Sequence, residues 1–282
     1  MAALKEIKKR INSIKSTRKT TSAMKMVSSS KLRKAENKLS NIKQYTEALR
    51  CIMESLLTSD FSGPFCMERP VKNVAVVAFS SDSSLCGAFN SNISRELQKT
   101  YHKYKKTSGI DSVYIYTIGK KVYDSIRKTG IPITKNYENL AGKPNYGTMV
   151  DFATALIKLF DTKQIDRVDL IYHHFKSAGT QELVNVPLLP LAFPVQQNVK
   201  DYIMEPSREE VLKELIPDII KAKIFSVLLD SSTSEHAARM IAMQTATDNA
   251  DDLVSELTIE YNKSRQQAIT NELLDLIGGS AQ

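Results

Sequence analysis

The sequence predicts an α/β protein in which long N- and C-terminal helices pair as an antiparallel coiled coil around a central, doubly wound, mostly parallel α/β domain. Three observations carry this. All nine prolines and eight of the ten glycines lie between Gly63 and Pro217, so residues 1–62 and 218–277 contain no helix breaker. Apolar residues recur at alternating steps of three and four in both ends. Between them, short apolar runs alternate with amphipathic ones and are punctuated by Gly, Pro and Ser.

In the first helix the seam is Leu4, Ile7, Ile11 and Ile14, then Leu32, Ala35, Leu39, Ile42, Thr46, Leu49, Met53 and Leu56. The polar stretch from Lys15 to Thr21 interrupts it, and Met24 and Val27 resume it one position out of phase, which predicts a stutter. At about 1.5 Å per residue each end makes a rod on the order of 90 Å long. In the last helix the seam starts with Leu215, Ile219, Ile220, Phe225 and Leu228, and continues through Ala237, Ala238, Met240, Ile241 and Ala246. It closes with Leu253, Leu257, Tyr261, Ile269, Leu273 and Leu276. Alanines in its middle let the backbones approach closely. Ser231-Ser232-Thr233-Ser234 reads as helix, as a local weakening or N-cap, or as a solvated turn, with the unbroken helix preferred.

Charge supports the pairing. Residues 1–50 hold fourteen Lys and Arg against three Glu, a net of +11, whereas residues 230–282 hold nine Asp and Glu against three Lys and Arg, a net of −6. Opposite charge favours association of the two rods over self-pairing of either. The basic surplus is available to an acidic partner.

In the middle, residues 73–79 read as a buried strand that leaves the sheet through Ser80-Ser81-Asp82-Ser83-Ser84. A helix over 89–106, a strand over 112–118, a short helix over 121–128 and a third strand at Ile131-Pro132-Ile133 follow. A helix after Gly147, a strand over 168–175 and one over 183–186, ended by Pro187, complete a Rossmann-like rhythm.

The composition limits the chemistry. The chain is 42% hydrophobic and 25% charged, which suits a globular core, and no apolar run is long enough to span a bilayer. The N-terminus lacks the apolar stretch of a cleaved targeting peptide. Cys51, Cys66 and Cys86 show no CxxC spacing and read as free thiols of a reducing compartment. The formal net charge of +8 permits nucleic-acid or anionic-membrane binding without requiring it. The loop from Ser80 to Phe89 has one glycine and matches neither phosphate-binding glycine pattern, so no nucleotide or other cofactor is expected. Cys86 reads as a small buried thiol more readily than as an activated thiolate. Adjacent His173 and His174 on a strand point to opposite faces and cannot share a metal, and His102 and His236 have no ligand at suitable spacing. No catalytic or metal site is expected. A basic nucleic-acid arm is the alternative reading of the first helix, yet Ile7, Ile11 and Ile14 give it an apolar face.

Several motifs are specific. Ile11-Asn12-Ser13-Ile14, Thr20-Thr21-Ser22-Ala23-Met24-Lys25-Met26-Val27, Ser30-Lys31-Leu32-Arg33-Lys34-Ala35, Leu85-Cys86-Gly87-Ala88-Phe89-Asn90, Ser234-Glu235-His236-Ala237-Ala238-Arg239-Met240 and Ser264-Arg265-Gln266-Gln267-Ala268-Ile269-Thr270 occur in order along the chain. Over nearly its whole length the sequence resembles the gamma subunit of F-type ATP synthase, departing at Ser83-Ser84, where that family often has Arg-Gly. The resemblance implies a non-catalytic rotor shaft that couples ion-driven rotation of a membrane c ring to ATP synthesis or hydrolysis. Its implied partners are the alpha and beta subunits of the hexamer, the epsilon subunit and the c ring, with no nucleic acid and no direct membrane insertion. It implies a peripheral place on the cytoplasmic face of a bacterial inner membrane.

Carried over by position, Lys19, Met24 and Lys25 look like a belt facing acidic loops of the catalytic subunits. Arg239, Arg265, Gln266 and Thr270 look like contacts of the last helix with the hexamer, and the segment holding Tyr202 and Glu205 looks like a foot near the c ring. The chain then divides into a shaft helix at 1–62, the α/β domain at 63–200, and the foot with the second shaft helix at 201–282. Plant-type members carry an inserted cysteine pair, and no cysteine follows Cys86 here. The competing reading is a coiled-coil scaffold or basic nucleic-acid-binding protein.

Overall fold

A computed structural model describes residues 2–56, 65–67, 69–191, 205 and 207–279. In chain order the elements are α1 (Ala2–Leu56), β1 (Asn73–Phe79), α2 (Phe89–Lys106), β2 (Ser112–Ile118) and α3 (Lys120–Arg127). They continue with β3 (Lys135–Tyr137), α4 (Tyr146–Asp161), β4 (Arg167–Ser177), β5 (Thr180–Leu189) and α5 (Arg208–Gly279). The chain forms two compact units, Met1–Ser29 with Arg239–Gln282, and Ser30–Ala238.

The second unit is built on a five-stranded sheet of order β3-β2-β1-β4-β5, parallel except for β5, which returns antiparallel beside β4. Strand β1 shows why it is central. Val74, Val76 and Ala78 face one layer with Phe89, Ile93 and Leu97 of α2 and Val122 and Ile126 of α3. Ala75, Val77 and Phe79 face the other with Met149, Phe152, Leu156 and Phe160 of α4, Met53 and Leu56 of α1, and Leu212, Ile216, Ile220, Ile224, Val227 and Leu228 of α5. A strand covered on both faces reads as a continuous apolar run, as this one does. The fold is thus the mostly parallel α/β architecture with long terminal helices that the sequence predicts.

Two strand readings need correction. Ile131-Pro132-Ile133 is not a strand: the chain aligns with β2 only from Thr134, whose N–H donates to the Ile115 carbonyl (2.8 Å) and whose hydroxyl accepts from the Ile115 N–H (3.1 Å). Proline at 132 offers no N–H for such a ladder. Strand β5 runs from Thr180 to Leu189, and Pro187 lies within it opposite Asp169, beside a register shift at Val168/Asp169. Proline is tolerated there because β5 is an edge strand.

The stutter is also absent. Along α1 Ile7, Ile11, Ile14, Thr21, Lys25, Ser28, Leu32, Ala35 and Leu39 are buried or half-buried on one three-four series that keeps its phase across exposed Arg18, while Val27 is exposed and Met24 is half-buried off the series. Thr21 and Ser28 hold seam places that an apolar count overlooks. In α5 the late seam is Val254, Leu257, Tyr261, Ser264 and Ala268, so Leu253, Ile269 and Leu273 face outward. Through Ser231-Ser232-Thr233-Ser234 the helix is unbroken, and every residue from Val227 to Glu235 is buried. Pro217 lies inside α5 and leaves the Lys213 carbonyl without its usual i+4 donor.

Candidate functional site

Ligands of doubly wound sheets sit beyond the carboxyl ends of the parallel strands, where helix N-termini offer N–H groups to anions. Here the protein occupies that place with its own side chain. The Asp82 carboxylate accepts from the backbone N–H groups of Lys120 (3.1 Å), Asn139 (3.2 Å) and Gly142 (2.8 Å), and so caps α3. The next two donors of α3 are also satisfied, Lys121 N–H by the Ser81 carbonyl (3.0 Å) and Val122 N–H by Ser80 Oγ (3.3 Å). Beside them, Asn90 accepts from the Ser81 N–H (3.1 Å) and donates to Cys86 Sγ (3.1 Å), leaving Cys86 a buried thiol inside a hydrogen-bonded loop. Among the described residues no group of His, Cys, Asp and Glu is placed to hold a metal.

A second polar cluster fastens α5 to the carboxyl end of β4. Asp230 takes the Phe175 N–H on Oδ1 (2.9 Å) and the His174 ring Nδ1 on Oδ2 (2.6 Å), while Ser234 Oγ donates to the His173 carbonyl (2.9 Å). Thr233 returns its hydroxyl to the Leu229 carbonyl (2.7 Å), so the Thr233 and Ser234 hydroxyls are bonded while the buried run stays helical. Burial, reinforced by the Asp230 charge, pushes the Tyr172 phenol up to about 12. The two histidines do face opposite sides: His173 is buried and stacks on Phe89 with ring centroids 4.4 Å apart.

Burial pushes the His173 imidazole down from 6.5 to about 4. Between these values the unfolded chain binds a proton that the native protein excludes, so stability falls as pH is lowered through that window. His173→Phe is expected to shrink the loss of unfolding free energy between pH 7 and pH 4.5 by on the order of 2 kcal/mol. Parallel pH profiles for the two proteins would contradict this.

In the first unit the two helices run antiparallel, joined by a Thr21–Thr247 hydroxyl contact (2.8 Å) in the seam and an Arg18–Asp251 ion pair (2.6 Å) at its side. Each hydroxyl also lies within bonding distance of a carbonyl on its own helix, Thr21 of Arg18 (3.0 Å) and Thr247 of Met243 (2.7 Å), so one proton is shared between the seam contact and a helix carbonyl. The residues singled out from the sequence fall into three environments. Lys19, Arg265, Gln266 and Thr270 are exposed, with the Thr270 hydroxyl bonded to the Gln266 carbonyl (2.9 Å). Met24 and Lys25 are half-buried, and Arg239 is buried. Glu205 is exposed, and Tyr202 lies outside the described residues. Lys19, Lys25 and Arg265 make no ion pair with a described carboxylate within 4.0 Å. Asp82, Asp230 and the Thr21–Thr247 pair were not singled out from the sequence. An acid at the exit of a buried strand and an acid heading a Ser/Thr run in a helix were the available signals.

The class is a protein of long paired terminal helices carrying an α/β domain in which Asp82 caps α3 at the sheet's usual ligand edge. The family model described as ATP synthase matches residues 3–281. The ATP synthase gamma chain of Bacteroides fragilis is 52% identical over 99% of both chains, that of Bacteroides thetaiotaomicron 46% over the whole of both, and that of Flavobacterium psychrophilum 40% over 99% of this chain and 98% of the relative. The chain belongs to the ATP synthase gamma chain family. Its fold is also that of a chain in the rotor of Euglena gracilis mitochondrial ATP synthase, at TM-score 0.69 and 18% identity over 95% of this chain and 99% of that one.

Proposed function

We propose that the protein is the central rotor stalk subunit of an ATP synthase, turned by the membrane c ring and acting on the catalytic hexamer of alpha and beta subunits, with epsilon as a further partner. The observation that carries this is gamma-chain identity along the whole length, at 52% to one relative. The solved relatives, described as rotor, central stalk and c-ring assemblies, support the same reading. Among the described residues no helix is long and apolar enough to cross a membrane, in keeping with a peripheral place on the cytoplasmic face of a bacterial inner membrane.

The shaft forms no bond with a substrate. Its action is to favour one conformation of each surrounding catalytic subunit over another, which requires only contacts that differ between those conformations. Two helices of opposite net charge give the first unit unlike faces, so each surrounding subunit meets a different surface at each angle of rotation. Lys19, Lys25, Arg265, Gln266 and Thr270 are the outward or half-exposed polar contacts in this reading. Met24 and Arg239 belong to the set by resemblance, Tyr202 and Glu205 to a foot near the c ring. The division into a shaft helix (1–62), an α/β domain (63–200) and a foot with second shaft helix (201–282) is the corresponding functional partition.

Affinity purification of the tagged chain from native membranes is expected to recover alpha, beta, epsilon and c subunits in fixed ratio, and the purified chain is expected to hydrolyse no ATP. Recovery of the chain without the hexamer, or ATPase activity that follows the isolated chain through purification, would overturn the reading. The scaffold or nucleic-acid alternative has no comparable support from the relatives.

A further inference from the structure

In the second unit positive charge is gathered on one pair of helices. Helices α2 and α3 lie side by side over one face of the sheet, joined by the Ser94 and Ser125 hydroxyls (2.7 Å), with Phe89, Ile93, Leu97, Val122 and Ile126 turned inward. Residues 89–128 hold nine Lys and Arg against three Asp and Glu, a net of +6 in a chain whose formal charge is +8. On α2, Arg95, Lys99, His102 and Lys106 recur at steps of four, three and four, which puts them on one line opposite the buried residues, and all four are exposed. That line is about 16 Å long. Exposed Lys103 and Lys105 flank it, and exposed Lys120, Arg127 and Lys128 extend the basic surface to α3, around half-buried Asp124. Among the described residues only Lys99 of these cations has a carboxylate within 4.0 Å, that of Glu96 (3.7 Å). Helices on the other side of the sheet are mixed: α4 holds one Lys against two Asp, and residues 208–223 of α5 hold four Lys and Arg against four Asp and Glu. The contacts assigned to the shaft leave this basic face unused.

We propose that α2 and α3 present a docking face for the anionic phospholipid headgroups of a bilayer. Neither helix exposes a large apolar side chain, so the face lacks the apolar centre around which a protein interface is built. It offers no exposed ring on which a nucleic-acid base could stack, since Tyr101 is buried, Tyr123 is half-buried, and Tyr104 is half-buried with its hydroxyl on Asp169. Seven of its nine cations are lysines, point charges on long flexible stems, where arginine forks would suit phosphates held at fixed places. Spread over two helices, they match a charged plane, to which each Lys or Arg near the surface adds attraction. The choice of a bilayer rests on the peripheral place proposed above. Contact is with the headgroups alone, because no apolar residue is there to insert. Since lipids move laterally, the contact has no fixed register and sets no preferred angle on the rotor.

Flotation with vesicles tests this on the chain assembled with the alpha–beta hexamer, the hexamer alone giving the baseline. Vesicles of equimolar phosphatidylglycerol and phosphatidylcholine are expected to retain the complex roughly tenfold better than phosphatidylcholine alone at about 0.05 M salt, and to release it at about 0.5 M. Lys99→Gln with Lys103→Gln and Lys106→Gln is expected to lower that retention roughly tenfold. Lys158→Gln with Lys213→Gln and Lys223→Gln removes the same charge from exposed positions of α4 and α5 and is expected to leave retention within about twofold. Equal retention by the two lipid compositions, or equal loss in the two triple variants, would overturn the face, and the rotor reading would stand wherever the chain assembles with the hexamer. Capture of the complex by duplex DNA in preference to vesicles presenting the same amount of phosphate would make nucleic acid the partner and overturn the bilayer. Failure of the wild-type chain to assemble with the hexamer would remove the rotor reading, and the same comparison of triple variants on the chain alone would then decide the face.

Discussion

Gly119→Ala is expected to destabilise the second unit by about 3 kcal/mol or more, read as a fall in the urea midpoint at unchanged slope. Two effects add at this position. Gly119 has φ +94°, a conformation that side chains rarely adopt, and a Cβ there would lie 2.6 Å from the Ser80 carbonyl oxygen and 2.7 Å from its hydroxyl. Ser80 cannot give way cheaply, since its N–H and hydroxyl both donate to the Ile118 carbonyl (2.7 and 3.0 Å) and its Oγ accepts from Val122 N–H. Gly109→Ala separates the two effects. Gly109 has a similar φ of +97° and nothing within 4 Å of a Cβ, so its replacement is expected to cost only the backbone strain, about 1 kcal/mol. Equal effects of the two substitutions would show that the close approach to Ser80 contributes nothing.

Asp230→Ala is expected to cost about 3 kcal/mol, because it leaves the Phe175 N–H and the His174 ring without their acceptor at the seat of α5 on β4. Asp230→Asn keeps an acceptor for Phe175 and is expected to cost about 1 kcal/mol. Chemical denaturation at pH 7 measures both, and a neutral alanine variant would contradict the anchoring role. For a shaft the position matters beyond stability. In the buried stretch from Val227 to Glu235, Asp230 and Ser234 bond α5 to β4, so loss of either bond loosens the seat of the second shaft helix on the sheet.

Strands β1 and β2 and helix α2 match the ranges read from the sequence, because each is bounded by a turn residue and buried on a clear period. Legibility failed where hydropathy and geometry part. Thr21 and Ser28 are seam residues by position and polar by chemistry, so a count of apolar residues finds a break and moves Val27 into a seam from which the structure excludes it. A count that carries the three-four rhythm through polar positions would have kept the phase. Leu253 and Ile269 failed for the converse reason, being apolar residues on an outward face. Strand β5 outran its reading because Pro187 stops a central strand and not an edge one. The capping role of Asp82 could not be read at all. It depends on Asp82 meeting Asn139 and Gly142 across some sixty residues of sequence, a contact that only the folded sheet creates.

A rotor must turn, and this chain offers exposed Cys51 as a point of attachment on α1 together with two thiols, Cys66 and Cys86, that are less exposed. With those two replaced by serine, the hexamer of alpha and beta subunits fixed to a surface, and a probe linked through Cys51, addition of ATP is the most direct test of the central claim. Stepwise rotation in a single direction, dependent on ATP and abolished by inhibiting the hexamer, is the expected result. A chain that binds the hexamer and supports ATP hydrolysis while the probe stays fixed or moves without direction would contradict it.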